Sequence, residues 1–251
     1  MHGFPDTAHT WRHLMPALAE RGYRAVAPFL RGYAPTEVTD VFEVGALVAD
    51  ANALHEELGG DENAVIIGHD WGAYPVYGTT DRFRRSVALA LPPTTWLLDH
   101  FFGYEQLKRS FYVFLFQTQL AETAAAMPGF LDGLWADWSP GYDATDDLAF
   151  LRTSLGDPAN LAAAIGYYRA MLGTTPSTGR FSTEQAAANQ GPDGPILYLH
   201  GGRDGCIGAD LVRDVELPEG SHAEIIEDAG HFLHLERPDV VNARILDWLA
   251  K

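Results

Sequence analysis

The stretch of sequence that decides the fold is AVIIGHDWGAYP, residues 64–75. Its first four residues are apolar and three of them are β-branched, which indicates a short buried strand. A glycine stands two positions before Asp70 and another two positions after it, and small residues follow. This pattern between a strand and a helix is typical of a tight turn that holds a reactive side chain in a strained conformation. The stretch therefore predicts a strand that ends by presenting the Asp70 carboxylate.

Apolar runs of similar length lie on both sides of this stretch. They occupy residues 24–30, 86–91, 196–199 and 223–226. Residues 41–58 have apolar side chains at helical spacing and stop at a pair of glycines. Strands that alternate with helices build a parallel sheet covered on both faces, so the pattern predicts an α/β fold.

The segment from Trp96 to Ala188 has a different character, because it is rich in aromatic residues, alanine and leucine and shows no strand pattern. We predict helices in it at residues 104–120, 128–135, 146–155 and 158–172. A helical insertion between two halves of a parallel sheet is most simply a lid over the carboxyl ends of the strands, where ligands bind. The predicted domains are a first core part, a lid and a second core part, at residues 1–95, 96–188 and 189–251.

Charge and cysteine content limit the partners and the setting. The chain carries 34 acidic and 17 basic residues, a net charge of −17. Such a surface repels phosphate backbones and anionic lipid, so no nucleic acid or membrane partner is expected. No run approaches the roughly 20 apolar residues of a membrane helix, and the start does not resemble a signal peptide. The single cysteine, Cys206, favours a reducing, cytoplasmic setting and is interpreted as structural.

Further candidate catalytic residues follow later strands. Asp204 comes after the run ILYLH, and His231 comes after AEIIED. The chain order of nucleophile, acid and histidine is that of a hydrolase built on such a sheet. Asp210 and Asp228 are rival acids, but neither stands directly at a strand end in the right register.

Backbone donors for a negatively charged oxygen are expected at two places. The turn HGFP, residues 2–5, offers the amide of Phe4, and the turn after the strand offers the amide of Trp71. These two amides form the predicted oxyanion hole.

The sequence resembles the α/β-hydrolase superfamily, and within it the aspartate-nucleophile branch of epoxide hydrolases and haloalkane dehalogenases. The resemblance covers nearly the whole chain and rests on HGFP…TWRHLMPALAERGYRAVAPFLRGY, GHDWGA and EDAGHFLHLERPDVVNARILDWL. It implies a core with a mostly parallel sheet, an inserted helical lid and no cofactor or metal. It also implies strands ahead of His2 that this sequence does not contain, so we expect those N-terminal strands to be absent.

An aspartate at the turn selects the reaction. It is ionised at neutral pH and needs no base before it attacks. It is a poor nucleophile for acyl transfer but displaces a leaving group from an sp³ carbon, which leaves an ester on Asp70. His231, oriented by Asp204, then activates the water that cleaves this ester.

The resemblance also identifies two lid tyrosines, which distinguish enzymes that act on epoxides from enzymes that act on haloalkanes. Tyr112 precedes a Phe-Gln pair by the interval of the first lid motif of epoxide hydrolases, and Tyr168 lies in an aromatic-Tyr-Arg triplet like that of the second. A phenol donates a proton to a departing alkoxide, which a halide does not need. We therefore predict hydrolysis of a small uncharged, apolar epoxide by water. The predicted substrate-binding residues are His2, Phe4, Trp71, Phe116 and Trp135.

Two alternatives remain open from the sequence. A haloalkane dehalogenase would use Trp71 as one halide donor and need a second, for which Trp96, Trp135 and Trp138 are candidates. A catalytically weak homologue that binds a small apolar ligand is the alternative of another class. The chain is expected to be a monomer or a homodimer.

Overall fold

A computed structural model describes residues 1–79 and 82–251 of the chain. Within this part the sheet has four strands, each parallel to its neighbour, in the order β1-β2-β3-β4. They are β1 (Val65–His69), β2 (Arg85–Leu89), β3 (Ile196–Gly201) and β4 (His222–Ile226). The parallel α/β sheet predicted from these four apolar runs is confirmed.

Helices make up most of the remaining structure. In chain order the described residues form α1 (Leu14–Glu20), α2 (Val44–Glu57), α3 (Ala73–Gly78), α4 (Thr94–His100), α5 (Tyr104–Arg109), α6 (Phe111–Leu115), α7 (Ala121–Ala125), α8 (Phe130–Trp138), α9 (Thr145–Leu155), α10 (Pro158–Met171), α11 (Ser182–Gln190), α12 (Leu233–Glu236) and α13 (Pro238–Leu249). Short 3-10 helices lie at Ala8–His13, Asp70–Gly72 and Ala209–Leu211. None of the described helices has both the length and the apolar character that crossing a membrane requires.

The sheet is the middle of three layers. Successive side chains of a strand point to opposite faces, so each strand contributes to both sides. Val87 and Leu199 pack with Ile245 of α13 on one face, where α1 also lies. Ala88 and Tyr198 belong to the apolar cluster on the other face, against which α2, α3 and α11 pack together.

The strand predicted at residues 24–30 is wrong. This segment has no regular secondary structure and its backbone is in no sheet; the Leu30 amide, for example, donates to the ring of His2 at 3.1 Å. A cleft of about 590 Å³ separates residues 24–28 from residues 65–67 of β1. A strand needs a hydrogen-bonded neighbour that its own sequence cannot reveal. Among the described residues only Met1 continues the ladder on the facing edge of β1, where its carbonyl accepts from the His69 amide at 3.0 Å.

Between β2 and β3 the described residues form helices and turns but no strand, as predicted for the lid. The helix predicted over residues 104–120 is divided, since α5 ends before Ser110, whose backbone is not helical, and α6 ends at Leu115. Gln106 donates to the Ser110 hydroxyl and to the backbone carbonyl of Cys206, each at 2.8 Å, and the second contact lies far outside the segment. The division into core and lid at residues 95 and 188 stays a prediction.

Candidate active site

The turn after β1 holds Asp70 in a strained conformation. Its φ angle is 52°, in the left-handed region that residues other than glycine rarely adopt. The flanking glycines make this turn possible, because a Cβ on Gly68 would lie 1.9 Å from the carbonyl oxygen of Gly72. Strain of this kind costs about 1–3 kcal/mol and is found mainly at functional sites. The carboxylate is therefore presented at the carboxyl end of the sheet.

Two backbone amides face the Asp70 carboxylate. The amide of Phe4 donates to Oδ1 at 2.8 Å, and the amide of the adjacent Trp71 also acts on the carboxyl group, since both amides lower its pKa. The loop approaches so closely that a Cβ on Gly3 would lie 2.2 Å from the same oxygen. Both predicted oxyanion donors are thus brought to the carboxylate.

His231 and Asp204 form a buried pair beside Asp70. His231 Nδ1 lies 2.9 Å from Asp204 Oδ2, and its Nε2 faces Asp70 Oδ2 at 3.8 Å. The other oxygen of Asp204 accepts from the amides of Cys206 and Ile207 at 2.7 and 2.9 Å. The acid is therefore fixed by its own loop, and one ring nitrogen of His231 is left to face the reacting groups.

The rival acids lie on the surface. The Asp210 side chain is 93% exposed, and Asp228 is half-exposed and paired with Arg237. Neither contacts His231, so among the three carboxylates only Asp204 is placed to orient it.

The charges of the site are coupled. Burial by itself lowers the pKa of His231, but the charge and hydrogen bond of Asp204 and the charge of Asp70 outweigh it, so the pKa lies above its ordinary value. Burial raises the pKa of Asp70, while the His231 charge and the two amides oppose that rise. Each of the two groups thus favours the charged form of the other.

Tyr112 on α6 and Tyr168 on α10 are buried together above the turn. Their ring centroids are 5.5 Å apart at an interplanar angle of 83°. Tyr168 also packs edge-to-face on Trp71 at 4.9 Å. Burial raises the pKa of both phenols well above the ordinary value, and the negative charge of Asp70 adds to the effect. Both tyrosines therefore remain protonated and able to donate.

A cavity of about 50 Å³ joins the tyrosines to the carboxylate. Its lining residues are Asp70, Trp71, Tyr74, Leu91, Leu97, Phe101, Ser110, Tyr112, Val113, Tyr168, Met171, Cys206 and Ile207. Asp70 is the only charged residue in this lining. The larger cleft along the edge of β1 contains none of the predicted catalytic residues, so we take the smaller cavity as the site.

The indole donors are mostly engaged elsewhere. Trp96 donates to the carbonyl of Leu211 at 2.6 Å, and Trp135 donates to that of Pro5 at 2.8 Å. Trp71 Nε1 is buried and has no hydrogen-bond partner among the described residues. Trp138 packs against the ring of His231 rather than lining the cavity.

Four of the five predicted substrate-binding residues do not line the cavity. His2 is fully buried, with one ring nitrogen accepting from the amide of Leu30. Trp135 stacks on Phe232 at 3.5 Å. Phe116 packs behind Tyr168, at 5.2 Å. These side chains surround the site without lining the cavity, because their ring packing and hydrogen bonds hold them in the hydrophobic core.

Phe4 contributes its amide, and Trp71 is the one of the five predicted residues that lines the cavity.

The sequence reasoning missed two features. Cys206 lines the cavity, and its sulfur lies 3.4 Å from the Tyr112 hydroxyl; its position two residues after Asp204 was the available signal. Behind the turn, Asp6, His69 and His234 bring one potential metal-ligand atom each to within 4.8 Å of the others. In that group His69 also contacts the backbone carbonyl of His231 at 2.9 Å, so it supports the histidine loop.

Comparison with known proteins agrees with this architecture. Residues 1–244 match the alpha/beta hydrolase family, and the chain belongs to it. Epoxide hydrolase A of Mycobacterium tuberculosis is 30% identical, in an alignment that covers 99% of this chain and 88% of that protein. Epoxide hydrolase 3 of Siraitia grosvenorii is 28% identical, with 100% and 90% covered.

Solved structures show the same fold. A crystal structure of Bacillus megaterium epoxide hydrolase in complex with an inhibitor aligns with a TM-score of 0.80 and 24% identity. The alignment covers 100% of this chain and 92% of the other. Each of these three proteins is similar to the present chain nearly from end to end.

Proposed function

We propose that this chain hydrolyses an epoxide to a vicinal diol through an ester on Asp70. The observation that carries the proposal is the arrangement around Asp70: the carboxylate of the strained turn and two protonated phenols line one cavity, and the pair of Asp204 and His231 faces the same carboxylate at 3.8 Å. The epoxide hydrolases among the similar proteins support the same reaction.

In the first step Asp70 attacks a ring carbon of the epoxide. The carbon–oxygen bond to Asp70 forms as the ring carbon–oxygen bond breaks, and Tyr112 or Tyr168 gives its proton to the departing oxygen. The phenol that donates becomes a phenolate. The ring opens only because the oxygen is protonated as it leaves, since an alkoxide is a poor leaving group.

Ester formation changes the protonation of His231. The ester carries no charge, so His231 loses the contribution of Asp70 to its raised pKa. The imidazolium then releases a proton that replaces the one given up by the tyrosine. A charged histidine that stabilises the nucleophile is converted in this way into a neutral base.

In the second step His231 removes a proton from water, whose oxygen attacks the ester carbonyl. The amides of Phe4 and Trp71, which already face this carboxyl group, stabilise the negative oxygen of the intermediate. Collapse of the intermediate releases the diol and restores the Asp70 carboxylate with one oxygen from water.

The lining indicates the substrate class. Apart from the carboxylate and the phenols it is mainly apolar, so we infer a small uncharged epoxide. With the single cysteine and the negative surface, we also infer a cytoplasmic enzyme without nucleic acid or membrane partners that works as a monomer or homodimer.

A single turnover in ¹⁸O-labelled water tests the proposal. The protein is mixed in excess with styrene oxide, digested, and the peptide that contains Asp70 is weighed by mass spectrometry. We expect the label in Asp70, and Asp70→Asn should abolish diol formation. Label confined to the diol would mean direct attack of water on the epoxide and would overturn the mechanism.

One observation favours a second candidate. The unpartnered indole nitrogen of Trp71 is the type of donor that binds a leaving halide. A chloroalkane panel run beside the epoxides decides between them: release of chloride without diol formation from any epoxide identifies a dehalogenase, and binding of either class without turnover identifies a ligand-binding protein.

A further inference from the structure

Cys206 lies where the core and the lid meet at the cavity. Its sulfur is 3.4 Å from the hydroxyl of Tyr112, a residue 94 positions earlier in the chain. It is 2% exposed and lines the cavity that contains Asp70. A ligand atom each of Asp204 and His231 lies within 4.8 Å of its sulfur. The thiol therefore stands between the His231–Asp204 pair and one of the two phenols.

The backbone around Cys206 is held from both sides. Its amide donates to Asp204 at 2.7 Å, and its carbonyl accepts from Gln106 of α5 at 2.8 Å. Gln106 also accepts from the amide of Gly208 at 3.1 Å and donates to Ser110, two residues before Tyr112. The loop of the acid and the helix of the tyrosine are thus joined at a fixed distance, which places the thiol reproducibly beside the phenol.

The two phenols have different surroundings. Tyr112 has the thiol as its hydroxyl's neighbour, whereas Tyr168 packs against the edge of Trp71. A thiol is both a weak donor and a weak acceptor. Either atom can be the donor in the resting site, and when Tyr112 turns its proton toward a substrate oxygen, the S–H group donates to the phenol oxygen. Burial raises the pKa of Cys206 well above its ordinary value, which keeps it a thiol rather than a nucleophilic thiolate.

From this geometry we infer that Cys206 is a positioning residue for the ring-opening step, which holds the Tyr112 hydroxyl toward the epoxide oxygen and supports the phenolate formed there. The inference rests on the proposed function. It makes the two tyrosines unequal, because the thiol acts through Tyr112 alone.

The test is a double-mutant cycle on the rate of ester formation, measured by stopped-flow in single turnovers with styrene oxide. Cys206→Ala should slow ester formation about fivefold, the effect of one positioning hydrogen bond, and leave ester hydrolysis unchanged. Cys206→Ser keeps a donor and acceptor at the same place and should restore the rate to within about twofold of the parent.

Background variants separate the thiol's effect from general damage. In Tyr112→Phe, Cys206→Ala should change nothing further, and in Tyr168→Phe it should still cost about fivefold. Cys206→Val fills the volume without a hydrogen-bonding group and should behave like the alanine variant, which keeps the test available if Cys206→Ala does not fold.

An equal loss in the parent and in Tyr112→Phe, or equal slowing of ester formation and ester hydrolysis, would overturn the inference. The proposed function fails in a different way: no ester forms on Asp70 in the parent enzyme. An ester that forms at the same rate in all Cys206 variants refutes the role of the thiol alone.

Discussion

The floor of the site, formed by Asp70, Asp204 and His231, and its roof, formed by Tyr112 and Tyr168, are held in place by different kinds of interaction. On the floor, Asp70 and Asp204 are held by backbone amides at 2.7–2.9 Å, given by the loops at strand ends. In the roof, Tyr112 and Tyr168 are held by packing of aromatic rings, with centroids 5 to 6 Å apart, and by one weak contact with a thiol. Amides fix the direction of an oxygen, whereas ring packing fixes only the place of a side chain.

This difference has a consequence for function. In the proposed mechanism the floor forms the bond to carbon, which tolerates little displacement of the nucleophile. In the same mechanism the roof delivers a proton, for which two phenols are present. We therefore expect substitutions in the floor to stop one chemical step completely and substitutions in the roof to give graded losses.

The largest effect is expected for His231→Asn. The variant lacks the base for the second step, so ester hydrolysis should fall by about 10³-fold or more, while ester formation continues. The ester on Asp70 should accumulate and be detected by mass spectrometry of the intact protein. His222→Asn, an exposed histidine on β4, is the matched control and should behave as the parent. Equal slowing of ester formation and ester hydrolysis would contradict the role of His231 as the base of the second step.

Loss of the phenols should give intermediate effects. Tyr112→Phe and Tyr168→Phe should each slow ester formation about 10- to 100-fold, and the double variant should slow it by more than either. Tyr142→Phe is the control: it removes a half-buried phenol that donates to Asp147, and it should form the ester at the rate of the parent. If either single variant matched the double variant, the two tyrosines would not share the proton transfer, and the roof would be as strict as the floor.

The pH dependence of ester formation reports on the floor. Asp70 is proposed to react as a carboxylate, so the rate should fall tenfold per pH unit once the pH drops below its pKa. Because burial raises this pKa, the fall should begin at a higher pH than for an ordinary aspartate. The positive charge of His231 opposes the rise, so His231→Asn should move the fall to still higher pH. Stopped-flow rates across the acidic range measure it. A shift to lower pH in that variant would contradict the coupling of the two charges.

The smallest effect on turnover is expected for Trp135→Phe, which removes a hydrogen bond between α8 and the loop that faces Asp70. Trp135 of α8 donates to the carbonyl of Pro5, next to the amide that serves Asp70. Trp135→Phe keeps the stacking on Phe232 but removes this hydrogen bond, and the free energy of unfolding should fall by about 1–3 kcal/mol in urea titrations, with the turnover rate changed less than in any variant above. A loss of turnover as large as that of Tyr112→Phe would show that this hydrogen bond is part of the catalytic geometry.

The parts predicted well were those with local causes. The turn around Asp70 was predictable from its two glycines, because the strand and the helix approach each other so closely that a side chain at these positions would not fit. The four paired strands were visible because each is a short apolar run between turns. Tyr112 and Tyr168 were located through the resemblance of their flanking residues, and the structure brings both to one cavity.

The parts predicted wrongly depended on distant neighbours. Residues 24–30 have the composition of a strand but no ladder partner, and pairing is a property of two segments rather than one. The helix expected at residues 104–120 is interrupted at Ser110 and ends at Leu115, and Gln106 within it contacts the distant loop of Cys206. His2 and Trp135 were expected at the substrate, but their polar atoms bond to the backbone of other elements.

By itself the sequence determined four of the strands and the carboxylate at the turn, and it predicted the residues proposed as acid and base, because steric need and chain order act over a few residues. Only the tertiary structure decided which side chains line the cavity, that a thiol lies beside the Tyr112 hydroxyl, and that Asp204 and Asp70 raise the pKa of His231. Those properties follow from burial and from distances between residues far apart in the chain, and neither quantity is local.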